Sequence, residues 1–169
     1  MVRFTNVVVK ADLGVALDLA SIARHARDIQ YNPKKWPGVV WRHRHIAGTC
    51  LLYKSGKVIC NGTSSITSAK RSLRKYARLL QGYGNRVKLD SIQIQTMSAV
   101  HDLAMPVDLK SLVSIGGAYE PELFNACHLK KGRMHFTIFS TGKIIITGIK
   151  SQNLLQTIVY PTIFEIAMS

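Results

Sequence analysis

The sequence predicts an α+β fold written twice, with antiparallel strands and helices on one face only. Three observations carry that reading: motifs that recur in order, strands that alternate between two kinds of face, and apolar residues at helical spacing. "LLYKSGKVICNG" at 51–62 and "TIFSTGKIIITG" at 137–148 share an aromatic, a polar turn, Gly-Lys and an apolar run. Asp18-Leu19-x-Ser21 returns as Asp108-Leu109-x-Ser111, and Tyr31-x-Pro33-x-x-Trp36 as Tyr119-x-Pro121-x-x-Phe124. Gly56-Lys57-x-Ile59-x-x-Gly62 returns as Gly142-Lys143-x-Ile145-x-x-Gly148. The offset falls from 90 to 88 to 86, as it would if the second copy had lost a few loop residues. The copies cover roughly 5–87 and 95–167 of one 169-residue domain.

Within copy one, "NVVVK" reads as a strand. Residues 17–30 place Leu19, Ile22, Ala23, Ala26 and Ile29 at helical spacing. "YNPKKWPG" is a Pro-rich loop, "VVWRHRH" a strand, and the Gly56-Lys57 stretch a hairpin. A second helix runs from about Ser65 to Gln81, with Ile66, Ala69, Leu73, Tyr76, Ala77 and Leu80 on one face, stopped by Gly82 and Gly84. Copy two repeats this order with a poorer first helix and a last helix interrupted near Tyr160-Pro161.

Charge narrows the function. The chain has 23 Lys plus Arg against 9 Asp plus Glu, a net +14, which calls for a polyanion: nucleic acid before an anionic membrane. No apolar run approaches the about 18–20 residues of a membrane span, and the start lacks the pattern of a secretory signal. Three cysteines without a CxxC argue against a disulfide framework and a zinc site, and for a reducing compartment. The Asn61-Gly62-Thr63 sequon is read as accidental.

Strand alternation separates two faces. One takes Cys50, Leu52, Val58 and Cys60 in copy one and Phe136, Ile138, Ile144 and Ile146 in copy two, an apolar surface for the helices. The other takes Thr49, Leu51, Tyr53, Lys57, Ile59 and Asn61, with Asn6, Val8 and Lys10 on the first strand. Its counterpart in copy two is Thr137, Phe139, Lys143, Ile145 and Thr147. Helices on one side leave this second face open, and an open, partly apolar sheet face is a binding surface. A nucleic-acid groove suits it: aliphatic side chains pack on sugars and base edges, short Asn and Thr side chains reach groove acceptors, and rim cations such as Arg42, Lys57, Lys143 and Lys150 meet phosphates. The alternative is a second sheet or subunit over the face.

"LDLASIARHARDIQYNPKKW", "SGKVICNG", "RKYARLLQ", "YEPELF" and "STGKIIITG" together resemble the two repeats of the TATA-box-binding protein core, in order and over nearly the whole chain. The resemblance implies a saddle: one curved ten-stranded antiparallel sheet with four helices on its convex face and the DNA minor groove on its concave one. It implies no cofactor and no enzymatic activity. It also implies two pairs of aromatic wedges, Trp36 with Tyr53 and Phe124 with Phe139, and a nuclear initiation factor that bends promoter DNA and nucleates pre-initiation complex assembly. Implied partners are double-stranded promoter DNA, TFIIB-like and TFIIA-like factors, TBP-associated factors and, weakly, a second copy of the chain. "YEPELF", with Glu120, Glu122 and Leu123, resembles the stirrup that meets a TFIIB-like factor. The basic helix face of Lys70, Arg71, Arg74, Lys75 and Arg78, with Tyr76 beside it, is either a TFIIA-type docking surface or a solvated face.

Departures from the family pattern concentrate on the groove face. The central asparagine is kept as Asn6 but becomes Thr96 in copy two, and its valine neighbour is Val8 against Ser98. Wedges in copy one are Trp and Tyr where phenylalanine is usual, Ser64 stands where a lysine is usual, and "HIAG" lacks the usual Pro and Lys. These departures leave a second functional class open, a related interaction scaffold with weak or non-TATA DNA binding.

Other chemistries lack their parts. The two SGK/TGK turns lack the upstream glycine and the following hydroxyl of a phosphate-binding loop, since Val58 and Ile144 follow the lysines. Glu120 and Glu122 come with no cleft or partner group for acid–base work. Arg42-His43-Arg44-His45, read as a strand, puts the two histidines on one face, with no carboxylate or Cys near them in sequence to complete a metal site.

Overall fold

The computed structural model describes residues Met1–Ser169. It divides into two compact units, one of Asn6–Gln95 and one of Thr96–Ser169 with Met1–Thr5. Ten strands are present, and every pairing within each unit is antiparallel.

In the first unit the elements are β1 (Arg3–Asp12, counted here from Asn6), α1 (Leu19–His25), β2 (Ile29–Tyr31), β3 (Val39–Trp41), β4 (Thr49–Leu52), β5 (Lys57–Thr63) and α2 (Ile66–Gly82). The strand order is β2-β3-β4-β5-β1. Alternation works as expected: Val7, Val9, Val39, Trp41, Cys50, Leu52, Val58 and Cys60 are all buried, and α2 packs on β5 through a face that buries Leu73, Tyr76 and Leu80. Ser65 caps α2 by accepting the Ser68 amide at 3.1 Å. Beneath the sheet, Trp41 and Tyr76 lie with ring centroids 5.1 Å apart. The Trp41 indole donates to Arg27 O at 2.9 Å, so its one polar atom is satisfied while the ring is fully buried.

Two expectations need correction here. The first helix is seven residues long rather than spanning 17–30. Asp18 caps its start by accepting the Ser21 amide at 3.1 Å, the chain turns extended at Ala26, and Asp28 takes φ 62. That left-handed residue redirects the backbone, and Ile29 pairs with Trp41 in β2 instead of closing a helical stripe. The strand "VVWRHRH" ends at Trp41. Arg42 N makes one last bond across to Asp28 O at 3.1 Å, His43 N donates to the Tyr76 hydroxyl at 3.1 Å, and Ile46 N closes a turn on His43 O at 3.1 Å, so the histidines do not share a strand face.

The second unit contains β6 (Gln93–Asp102, counted here from Thr96), a 3-10 turn at Ser111–Ile115, β7 (Ala118–Tyr119), β8 (Cys127–Lys131), β9 (Met134–Ile138), β10 (Lys143–Ile149), a π-helical turn at Leu155–Val159 and α3 (Tyr160–Met168). Its strand order is β6-β10-β9-β8-β7, and Phe136, Ile138, Ile144, Ile146 and Leu129 fill the covered face. Three α-helices therefore stand where four were expected. The missing one is the 3-10 turn, where Ser111 and Ser114 hydroxyls each donate 2.7 Å bonds back to the carbonyls of Asp108 and Ser111, and Gly116 at φ 93 ends the segment. Such local bonds compete with helix propagation. The last helix changes pitch just ahead of Pro161, whose ring nitrogen has no hydrogen to give to an α-helical ladder. Lys131 and Glu165 form an ion pair of 2.9 Å.

Candidate nucleic-acid interface

Each unit leaves one sheet face only partly covered. On the first, Leu51 pairs with Ile59 and Thr49 with Asn61, and these four with Asn6 and Val8 are half-buried. On the second, Thr137 pairs with Ile145; both are half-buried with Thr96 and Ser98, while Thr147 is exposed. The residues read from sequence as one face thus lie together within each unit, opposite its core.

Asn6 is held in one orientation. Its Oδ1 accepts the Gly62 amide at 2.8 Å, a bond that only the oxygen end can make, so its NH2 end is left to donate. Nothing equivalent is built around Thr96.

Aromatic pairs sit where loop meets hairpin tip. Trp36 N and Phe124 N each close a turn at 3.0 Å, onto Asn32 O and Glu120 O. Tyr53 and Phe139 each bracket a four-residue turn: Tyr53 N donates to Lys57 O at 3.0 Å and Phe139 N to Lys143 O at 2.9 Å. The rings meet edge to face, 5.4 Å and 65° for Trp36–Tyr53, 6.3 Å and 68° for Phe124–Phe139. Phe124 is 50% exposed, high for a phenylalanine. Gly38 makes room for the larger indole, because a Cβ there would strike the Trp36 ring; Ala126 follows the smaller Phe124 at the matching place.

The turns are locked to the unit by glycine. Gly56 and Gly142 take φ 92 and 93, and a Cβ on either would run into the carbonyl of Val15 or Met105. Their own carbonyls accept Leu13 N at 2.9 Å and Leu103 N at 3.1 Å. Arg42, Lys57, Lys143 and Lys150 are exposed, and Arg42 reaches Gln30 Oε1 at 3.4 Å.

Among the expected partner-binding residues, Arg74, Lys75, Glu120, Glu122 and Leu123 are exposed, Leu123 at 79%. Tyr76 is not available to a partner. It is fully buried, its hydroxyl donates toward Trp41 O (3.1 Å) and Gly48 O (3.3 Å) and accepts from His43 N, and burial pushes its pKa to about 12. Burial also raises Cys60 to about 11 and holds Cys50 and Cys127 up, so all three cysteines are packing residues with protonated thiols.

One residue on the open face escaped the sequence reading. His128 stacks on Phe124 (5.5 Å, 15°), with Thr137 Oγ1 3.4 Å from its Nδ1. The signal was available: in Cys127-His128-Leu129 the histidine falls between two core positions.

A family model described as "Transcription factor TFIID (or TATA-binding protein, TBP)" matches residues 1–83 and 91–166, once on each copy. The TATA-box-binding protein of Caenorhabditis elegans is 38% identical over 157 residues, covering 90% of this chain and 46% of that protein. TATA box-binding protein-like 2 of Xenopus laevis is 37% identical over 156 residues, covering 89% and 49%. The chain spans about half the length of these curated relatives. The solved structure of Methanococcus jannaschii TBP superposes with a TM-score of 0.88 over 99% of both chains at 28% identity. Two copies matched in order, and one fold shared from end to end, establish that this chain belongs to the TATA-binding protein family.

Proposed function

We propose that this chain is a DNA-binding transcription initiation factor, not an enzyme, acting in the nucleus on double-stranded promoter DNA through the minor groove. The observation that carries this reading is the open face of each unit: aliphatic and short polar side chains, an aromatic pair at its edge, and cations near the rim. Val, Leu and Ile match sugar and base edges, Asn6 donates to groove acceptors, and Arg42, Lys57, Lys143 and Lys150 neutralise phosphates. Each aromatic pair enters a base step and opens it. Bending by such wedges is the known behaviour of the TATA-binding protein family, and the cost of about a few kcal/mol per unstacked step is taken from that family. The bent duplex then seats the remaining machinery for pre-initiation complex assembly: a TFIIB-like factor on Glu120, Glu122 and Leu123, a TFIIA-like factor on Arg74, Lys75 and their neighbours, and TBP-associated factors.

A second reading is favoured by one observation, the replacement of the Asn–Val pair by Thr96 and Ser98 in the second unit. It makes the chain a scaffold for general transcription factors with weak or non-TATA DNA binding. Binding of the chain to a TATA duplex and to a GC-rich duplex, across a salt series, separates the two. The DNA reading expects log affinity to fall with log salt by about 0.9 for each phosphate neutralised. A flat salt dependence supports the scaffold instead.

A further inference from the structure

The two units differ in chemistry at one matched point of the open face. Beside Trp36 and Tyr53, the first unit pairs Val40 with Leu51 across β3 and β4. At the same register beside Phe124 and Phe139, the second pairs His128 with Thr137 across β8 and β9. The match is fixed by the next strand, since Leu51 pairs with Ile59 and Thr137 with Ile145. Two aliphatic side chains in one unit are therefore an imidazole and a hydroxyl in the other.

The minor groove supplies a reason for the difference. A·T and T·A pairs show only acceptors there, whereas a G·C pair adds the guanine 2-amino donor. Pressed against Val40 and Leu51, that amino group loses its water and gains no acceptor, which carries the full desolvation penalty. Against His128 and Thr137 it meets acceptors. The Phe124 stack and the 3.4 Å Thr137 contact fix the imidazole at two points, leaving Nε2 free. With the proton on Nδ1 and shared with Thr137 Oγ1, Nε2 presents its lone pair, and the hydroxyl oxygen keeps one as well.

Resting on the minor-groove reading above, we infer that His128 and Thr137 are a specificity-determining pair: the second unit accepts a guanine where the first excludes it. Binding preference is then asymmetric along the site, A·T-restricted at one unit and G·C-tolerant at the other.

The experiment scans a single G·C pair through an A·T-rich duplex and repeats the scan with inosine, which lacks only the 2-amino group. For the parent chain, some positions should tolerate G·C within about threefold of A·T, and at others G·C should cost about tenfold or more, restored by inosine. The double variant His128→Val with Thr137→Leu, which copies the first unit, should weaken G·C about tenfold relative to inosine at the tolerant positions, whatever the overall affinity. The reverse exchange, Val40→His with Leu51→Thr, should create tolerance at restricted positions, and it tests the idea even if the first variant fails to fold. A guanine-to-inosine ratio that stays at the parent's value in both exchanges overturns the inference while A·T binding stands. If the parent binds no duplex at any salt, the minor-groove reading itself fails and the inference goes with it.

Discussion

The side-chain oxygen of Asn6 accepts the Gly62 amide at 2.8 Å, which ties β1 to β5 and aims the Asn6 NH2 at the open face. Asn6→Asp keeps the acceptor, removes the donor and sets a negative charge against groove acceptors. Stability should change by no more than about 1 kcal/mol, since the Gly62 bond survives. Affinity for an A·T-rich duplex should fall about tenfold or more, read by fluorescence anisotropy beside a urea melt. Equal affinity for parent and variant would remove Asn6 from the groove.

Phe124–Phe139 is the more exposed aromatic pair, and the proposed wedge role expects that replacing both rings with Ala lowers bend angle and affinity together. The loss should be larger on a flexible TA step than on a stiff GC one, because opening the step is recovered only through the extra surface the bent duplex covers. Energy transfer between dyes on the duplex ends reads the bend. Trp36→Ala with Tyr53→Ala should act in the same direction. A Phe124/Phe139 variant that binds and bends like the parent would end the wedge mechanism for this chain.

Gly142→Ala should be costly far out of proportion to one methyl group. Its φ of 93 strains any L side chain, and the new Cβ meets the Met105 carbonyl, so about 1–3 kcal/mol of stability should be lost in a denaturant melt. Gly82→Ala, at the open end of α2 with nothing within 4 Å of its Cβ, is the control and should be neutral or stabilising by up to about 1 kcal/mol. Equal effects at the two sites would dismiss the turn lock.

Alkali should find the core through Tyr76. Burial moves its hydroxyl from 10.0 to about 12, so the folded state holds that proton more tightly than the unfolded chain does. The resulting stability is complete below pH 10 and disappears as pH rises through about 12. Cys60, raised from 9.0 to about 11, adds a similar loss beginning one unit lower. Urea midpoints of the parent should therefore decline across this range, and Tyr76→Phe should flatten the part above pH 10. At neutral pH the same variant should cost about 1–3 kcal/mol, because the His43 amide loses its acceptor and the Trp41 and Gly48 carbonyls lose a donor.

The two-faced sheets were legible because strand side chains alternate strictly, and each copy repeats the other's pattern. Cys50, Leu52, Val58 and Cys60 went to the core as read, and so did Phe136, Ile138, Ile144 and Ile146. What escaped lies in single dihedrals and long-range hydrogen bonds. Ile29 continues the helical spacing of Leu19 and Ile22, and the extended Ala26 and left-handed Asp28 take it away. Tyr76 carried two readings, core by its spacing and docking surface by resemblance. Contacts 28 to 35 residues distant in sequence decided for the core. The open-face position of His128 shows in the sequence only as the brief Cys127-His128-Leu129 alternation, in a strand five residues long that ends in a turn at Gly132.

Helix α2 gains no charge pairing along its exposed side. Lys70 and Arg74, Arg71 and Lys75, and Arg74 and Arg78 each stand four residues apart on it, and no Asp or Glu occurs between Ile66 and Gly82. Like charges at that spacing repel by about 0.2–0.5 kcal/mol per pair, so the surface side of the helix pushes itself apart while Leu73, Tyr76 and Leu80 anchor the other. On the DNA-binding proposal, salt acts on this chain in opposite senses: added ions screen the helix's self-repulsion and firm up the free protein, while they weaken a hold on a phosphate backbone. A polyanion lying along α2 would serve the helix as a counterion, and binding there should protect the α2 amides from hydrogen exchange most strongly at low ionic strength.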